Sequence, residues 1–266
     1  MKTLIHVWTQ SPSNVKVTDS EWRFGIGDLL RGSIGAIQYC EKYGYECIID
    51  ISLHPISTLL NVCEHKYSKL IQQNKDNIYA ILPNNVHQHV QDVFKDKDVV
   101  YFFSNFGLDV FGLDPSNKVK EYITTLLSPN IMFSDYIDTM MKHLPWNKFD
   151  ILHFRLGDSE VINEYTKTDY TSHINHLTKH IEGHNILLSD SCLFKEFVAK
   201  NTDIFMYDKP VAHLGFHTNV DKIKHTMFEF ILLTKAQKIK TYSVYGWTSG
   251  FVKIANYIYN VPLIKL

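Results

Sequence analysis

The first fifty residues constrain the fold more than any other feature of the chain. Residues 3–9 read as an apolar strand. Residues 24–44, FGIGDLLRGSIGAIQYCEKYG, place Leu29, Leu30, Ile34, Ile37 and Tyr39 along one helical face, and Gly44 is a natural helix stop. Residues 45–51 follow as a strand in which Cys47, Ile48, Ile49 and Ile51 leave almost no polar position. A strand that is apolar on both faces needs cover on both faces, which is the situation of a parallel strand flanked by helices. Strand, helix and strand in that order predict a βαβ unit and an α/β fold.

The same rhythm continues. VVYFF at 99–103 predicts another buried strand, and residues 122–127 and 135–143 predict helices separated by Pro129. Strands are expected at 149–154, 186–188, 204–206 and 240–245. Helices are expected at 193–200, 225–238 and 251–259, that at 225–238 carrying Met227, Phe228, Phe230, Ile231, Leu233 and Ala236. A boundary between two lobes is expected near 144–149, dividing the chain into 1–146 and 147–266.

With 27 Lys plus Arg against 28 Asp plus Glu, the net charge of −1 argues against a broad nucleic-acid or anionic-membrane surface. A small anion site of one or two basic side chains and a few N–H groups is compatible with that balance. Cys40, Cys47, Cys63 and Cys192 form neither a disulfide framework nor a zinc pattern and read as buried free thiols. The 14 histidines include His173, His176, His180 and His184 without an HExxH or a carboxylate-bearing cluster, so no metal is expected. MKTLIHVWTQ is interrupted by His6 and Gln10 and resembles neither a signal peptide nor an anchor, and no apolar run is long enough to span a bilayer. A soluble, cytoplasmic protein is the expectation.

Three segments carry candidate chemistry. At 24–32, Gly25, Gly27, Asp28 and Arg31 sit between a strand and a helix, where glycine permits close backbone approach and a helix N-terminus attracts anions. By itself this is equally a tight turn. At 151–158, ILHFRLGD, the two-residue period of a strand puts His153 and Arg155 on one face, Gly157 turns the chain and Asp158 follows. Such residues are costly at the end of a buried strand unless paired or used, and that end is where open α/β sheets bind ligands. The bland alternative is an internal Arg155–Asp158 pair. At 241–251, Thr248, Ser249, Gly250 and Phe251 enter the last helix, either as a plain N-cap or as a phosphate contact. Ser189 and Asp190 follow the strand at 186–188, where they suit either a nucleotide contact or a helix cap.

Taken in this order, the segments resemble the fucosyltransferase superfamily, which covers the α1,2-, α1,6- and protein O-fucosyltransferases. Gly25–Asp28 with Gly32, Ser33 and Ala36 is similar to the family's GxGN-type loop and helix. The sequence from His153 to Asp158 is similar to its HxRxGD motif, the most specific match. Ser189-Asp190 resembles its serine–aspartate step, and Thr248 to Phe251 stand where the family carries a serine pair. The resemblance implies a GT-B-like α/β fold of two Rossmann-type lobes with a cleft between them, the N-terminal lobe on the acceptor side. It implies GDP-fucose as donor, a glycan acceptor, inversion, and no obligatory metal or other cofactor. Arg155 would hold the β-phosphate, with Ser249 and its neighbours opposite. Gly25, Gly27 and Asp28 would close over the donor with Arg31 behind them, and Asp190 would sit near the nucleoside. Asp28 stands where the family has Asn and is a candidate general base on the acceptor hydroxyl, with Asp158 its rival. Gly250 replaces the second serine.

Two other transferase-scaffold readings compete: a different nucleotide sugar, and a non-catalytic nucleotide-sugar or glycan-binding protein, against which Arg155 and Asp158 argue. A nicotinamide-dependent oxidoreductase would want GxGxxG after the first strand. The glycines fall at 25, 27 and 32, the third two positions late.

Overall fold

The computed structural model describes residues 1–10, 24–73, 79–80, 97–104, 114–157, 169–215 and 218–266, with 92, 95 and 160 besides. By internal contacts the chain divides into two compact units. One is Met1–Ser134 with Leu214–Val220, the other Asp135–His213 with Asp221–Leu266.

The first unit is built on strands β1 (Thr3–Val7), β2 (Glu46–Asp50), β3 (Tyr79–Ala80) and β4 (Val99–Phe103), in the spatial order β2-β1-β4-β3 with every pairing parallel. Helix α1 (Ile26–Tyr43) connects β1 to β2 and completes the expected βαβ unit. It is buried around most of its circumference from Ile26 to Cys40. Gly44 ends it in the left-handed conformation, φ 66°, donating its N–H to the Cys40 carbonyl. Helices α2 (Ser68–Gln73), α3 (Asn117–Leu126) and α4 (Ile131–Lys142) and a 3₁₀ turn at Pro55–Thr58 complete the described elements of this half of the chain. Helix α4 straddles the division between the units. Its Tyr136 hydroxyl lies 2.8 Å from that of Tyr207 and its ring packs edge-on against Phe228, both within the second unit.

The second unit carries β5 (Asp150–Arg155), β6 (Asn185–Ser189), β7 (Phe205–Met206), β8 (Ile239–Ser243) and β9 (Leu263–Lys265), all parallel, in the order β7-β6-β5-β8-β9. Helices α5 (Thr171–Thr178), α6 (Cys192–Asn201), α7 (Val220–Lys235) and α8 (Gly250–Tyr259) accompany them. Strand β5 alternates as a two-sided strand must. Leu152 and Phe154 join Ile174, Leu177, Leu187, Phe194 and Val198 in one fully packed cluster. His153, on the other face, lies against Phe251.

The α/β class with parallel sheets is as the sequence indicates. Three expectations change. The loop foreseen across 24–32 shrinks to Phe24 and Gly25, because the helix begins at Ile26. Gly27, Asp28, Arg31 and Gly32 are therefore helical. The segments 68–73, 79–80, 171–178 and 263–265 are regular elements that periodicity did not reveal. The cysteines are free, but Cys40 alone is buried, Cys47 and Cys192 are half-buried, and Cys63 is exposed.

Candidate active site

The order of the second sheet singles out one place. From β5 the chain moves to β6 and β7 on one side; β8 and β9 lie on the other. The crevice outside the carboxyl ends of β5 and β8 is thus the switch point, where open α/β sheets bind ligands. The end of β5 is Arg155, paired in register with Ser243, and the Val244 N–H extends the ladder to the Arg155 carbonyl at 3.0 Å.

Arg155 is held by a partner 35 residues away. Its Nη1 donates to Asp190 Oδ2 at 2.7 Å, with the two side chains 19% and 7% exposed. The same carboxylate accepts from the Leu156 N–H at 2.7 Å on Oδ1 and from the Gly157 N–H at 2.9 Å on Oδ2. Gly157 has φ 120°, a conformation that L side chains rarely adopt, so glycine is what permits this turn. Burial pushes the Asp190 carboxyl above the usual range, against the pull of the Arg155 charge and the two N–H donors.

The residues flanking Asp190 grip the same segment. Ser189 Oγ donates to the Phe154 carbonyl at 2.9 Å. Ser191 Oγ donates to Glu160 Oε2 at 2.8 Å, and the Tyr170 hydroxyl donates to that oxygen at 2.6 Å. Ser191 also caps α6, accepting from the Phe194 N–H at 3.1 Å. Glu160 and Tyr170 are site-supporting residues that the sequence did not reveal; a lone Glu and a lone Tyr carry no local signal.

His153 does not share the position of Arg155. It is buried, its Nδ1 lies 3.0 Å from Thr241 Oγ1, and burial, with the Arg155 charge adding, holds its pKa down to about 3. It is a neutral imidazole that packs the end of the strand. Ser189 is likewise buried, its hydroxyl donating to the Phe154 carbonyl.

On the β8 side, residues 244–249 lead into α8. Tyr245 and Trp247 stack at 4.9 Å with their planes 11° apart, and Trp247 is 64% exposed. Ser249 is the N-cap, its Oγ accepting from the Phe251 N–H at 3.3 Å, and Gly250 is the first helical residue. Thr248, Ser249 and Gly250 are half-buried, while Phe251 packs against His153 and Phe230.

A buried ion pair joins α6 to α7. Lys195 Nζ donates to Glu229 Oε1 at 3.3 Å and to the carbonyls of Tyr207 and Lys209 at 3.0 and 3.1 Å. Burial pushes Glu229 up to about 7, against the opposing effect of Lys195.

In the first unit, α1 packs against His6 of β1 and against Ser104, just after β4. Gly32 packs so tightly that a Cβ there would lie 1.9 Å from the Ser104 carbonyl oxygen. His6 Nε2 is 3.0 Å from that oxygen, which can only accept, so this nitrogen carries the proton. Its Nδ1 is 3.1 Å from Ser33 Oγ, which also receives the Trp8 indole N–H at 2.9 Å. At the head of α1, Gly25 is an extended N-cap with no side chain to bond. Asp28 follows in the first turn, 3.4 Å from Arg31, with both side chains more than a third exposed. Asp158 lies outside the described residues.

No model of a known protein family matches the sequence, and neither does any curated protein. Solved structures do. The fucosyltransferase NodZ from Bradyrhizobium matches with a TM-score of 0.60 at 13% identity, over 99% of this chain and 94% of NodZ. The chain has the fold of the fucosyltransferases. NodZ soaked with GDP-fucose matches equally, at a TM-score of 0.60 and 13% identity over 100% of this chain and 94% of that one. A variant of Arabidopsis thaliana FUT1 in complex with GDP matches at 0.59 and 8% identity, over 100% of this chain and 70% of FUT1. Among the described residues, no group of three or more His, Cys, Asp or Glu side chains is placed to hold a metal ion, and no helix is long and apolar enough to cross a membrane.

Proposed function

We propose that the chain is an inverting glycosyltransferase that moves fucose from GDP-fucose to a hydroxyl of a glycan acceptor without an obligatory metal. The observation that carries the reading is Arg155, fixed by Asp190 at the switch point of a parallel sheet. The fold likeness to structures of fucosyltransferases holding GDP or soaked with GDP-fucose supplies the substrate class.

In this reading residues 147–266 bind the donor and 1–146 serve the acceptor side. As the bond from the anomeric carbon to the β-phosphate oxygen breaks, negative charge grows on the leaving diphosphate. A cation fixed in advance stabilises that charge without reorganising, which is the work assigned to Arg155. The N-terminus of α8, with Thr248, Ser249, Gly250 and Phe251, supports the diphosphate through its N–H groups. Gly25 and Gly27, with Arg31 one turn on, leave room and charge at the head of α1 for the donor sugar. The acceptor oxygen forms the new bond from the opposite face of the anomeric carbon, and its proton passes to a carboxylate, assigned to Asp28 with Asp158 as the rival.

The test is a thermal-shift panel of GDP, UDP, GDP-fucose, GDP-mannose and UDP-sugars, each with EDTA and with Mg²⁺. A ligand that binds only the folded state at a hundredfold excess over Kd stabilises it by about 2.7 kcal/mol, which a melting curve resolves. Stabilisation by GDP and GDP-fucose that survives EDTA is the expected result. A shift with UDP compounds alone discards fucose, and no shift at all discards a donor site.

A further inference from the structure

Between β8 and α8 an indole is held out of the core. Trp247 is 64% exposed and stacks on Tyr245, ring centroids 4.9 Å apart and planes 11° from parallel. Tryptophan is usually well buried, as Trp8 is here. A single exposed apolar side chain is ordinary; a parallel aromatic pair on an anchored loop is not. The loop beneath the pair is pinned at three points. The Val244 N–H donates to the Arg155 carbonyl at 3.0 Å, the Tyr245 N–H to Ser243 Oγ at 3.2 Å, and Lys265 Nζ to the Gly246 carbonyl at 3.5 Å. Tyr245 backs one face of the indole, so the ring is oriented before anything binds. A Cβ built on Gly246 meets nothing within 4 Å, so the loop stands in open space at that point.

The place is the rim of the switch point. Ser243, paired across the sheet with Arg155, precedes the aromatic pair, and Ser249, the N-cap of α8, follows Trp247 by two residues. Two residues of chain span at most about 7 Å. A ligand lying on the indole is thus next to whatever α8 and Arg155 hold. Two flat partners suit an indole: a nucleobase and the C–H face of a pyranose. A nucleobase is selected along its polar edge, and amide, carboxylate and guanidinium groups are the side chains that read one. The segment 244–249, Val-Tyr-Gly-Trp-Thr-Ser, has none of these. It offers hydroxyls and peptide groups, which match sugar hydroxyls, around the electron-rich face of an aromatic ring, which matches sugar C–H groups.

We propose that Trp247, backed by Tyr245, is the acceptor platform: its exposed face stacks on a pyranose ring of the acceptor glycan, of the β-glucoside or β-galactoside kind whose C–H groups line one face. The proposal rests on the donor reading above, which places the diphosphate at α8. A rigid aromatic loses little rotamer freedom on binding, so such a platform orients an acceptor hydroxyl at low entropic cost.

Titration calorimetry of the wild type, Trp247→Phe and Trp247→Ala with cellobiose, lactose and acyclic mannitol reads the platform without the donor. One or both disaccharides should bind the wild type and Trp247→Phe, and lose about tenfold or more in Trp247→Ala, the scale of truncating an aromatic anchor. Mannitol, which has hydroxyls but no ring face, should not bind. A wild type that binds neither disaccharide, or binds mannitol as well, overturns the proposal, as does a Trp247→Ala chain that keeps wild-type affinity. GDP titrated onto the same chains separates the nucleobase. Its Kd should stay within about twofold in Trp247→Ala, and a tenfold loss, about 1.4 kcal/mol, makes the indole a base platform and overturns the acceptor assignment. With GDP-fucose as donor, the acceptor KM should rise in Trp247→Ala and the donor KM should not; the reverse overturns the proposal. A wild type that binds a disaccharide but no GDP bears out the sugar platform and refutes the donor reading instead.

Discussion

Replacing Arg155 with alanine should damage catalysis and stability for separable reasons. Loss of one main electrostatic donor to a transition state costs about 10²–10³ in kcat, or about 2.7–4 kcal/mol. The second effect comes from Asp190. Removing one partner of a buried ion pair costs about 3–5 kcal/mol because the other charge is stranded. Here the arginine side chain is a fifth exposed and Asp190 keeps its bonds from Leu156 and Gly157, so the lower part of that range or slightly less applies. At about 2–4 °C per kcal/mol for a protein of this size, Arg155→Ala should melt roughly 5–12 °C below the wild type. The double variant Arg155→Ala/Asp190→Asn removes the stranded charge and should recover most of that loss while remaining catalytically impaired. The assay is GDP release from GDP-fucose over a panel of glycan acceptors, with melting followed by calorimetry. Turnover of Arg155→Ala within about threefold of wild type refutes the role in diphosphate departure, a loss far below the expected scale. Recovery of turnover in the double variant refutes it too. An unchanged melting temperature refutes the ion-pair argument alone.

Gly32→Ala drives a methyl group to 1.9 Å from the backbone oxygen of Ser104, which cannot rotate away, so a loss at or above the top of the usual overpacking range, about 3 kcal/mol, is expected in a melt. Gly246→Ala, whose added carbon meets nothing within 4 Å, should leave stability unchanged or raise it by about 0.4–1 kcal/mol, and parity between these two variants would contradict the packing described. Glu229 binds its proton more tightly folded than unfolded, its pKa rising from 4.5 to about 7, so its contribution is fully present below about 4.5 and is lost as pH climbs through about 7. Across about pH 5 to about pH 8 the wild type should therefore lose stability relative to Glu229→Gln, and a difference in Tm that stays constant over that span would exclude this titration. Tyr170→Phe removes the hydroxyl that donates to Glu160 at 2.6 Å and should cost about 1.5–3 kcal/mol by denaturant titration, the scale of a hydrogen bond to a charged group; no change would refute the contribution assigned to this bond.

The opening βαβ unit was legible because its signals are local. Near-continuous apolar residues at 47–51 demand cover on both faces, and Gly44 stops the helix wherever the rest of the chain lies. Arg155 was legible for the same reason: a charged residue closing an apolar strand is conspicuous in six residues of sequence. The short elements were not. Phe205–Met206 and Leu263–Lys265 are too brief for periodicity, and Thr171–Thr178 buries only Ile174 and Leu177 toward the core. Gly32 read as part of a loop because a sequence shows a glycine without showing the Ser104 carbonyl that excludes every larger residue.

The partner of Arg155 marks the limit most clearly. Sequence proximity offered Asp158, three residues away, which lies outside the described residues; among the described residues the structure brings Asp190 to the guanidinium. Composition and local pattern determined that strands would alternate with helices and that a cation would stand at the end of one of them. Which carboxylate meets that cation depends on β5 and β6 being neighbours and on Phe154 lying opposite Ser189, a register set by how two crossovers pack their helices onto a shared sheet. That packing is a sum over contacts distant in sequence, and only the folded chain brings them together.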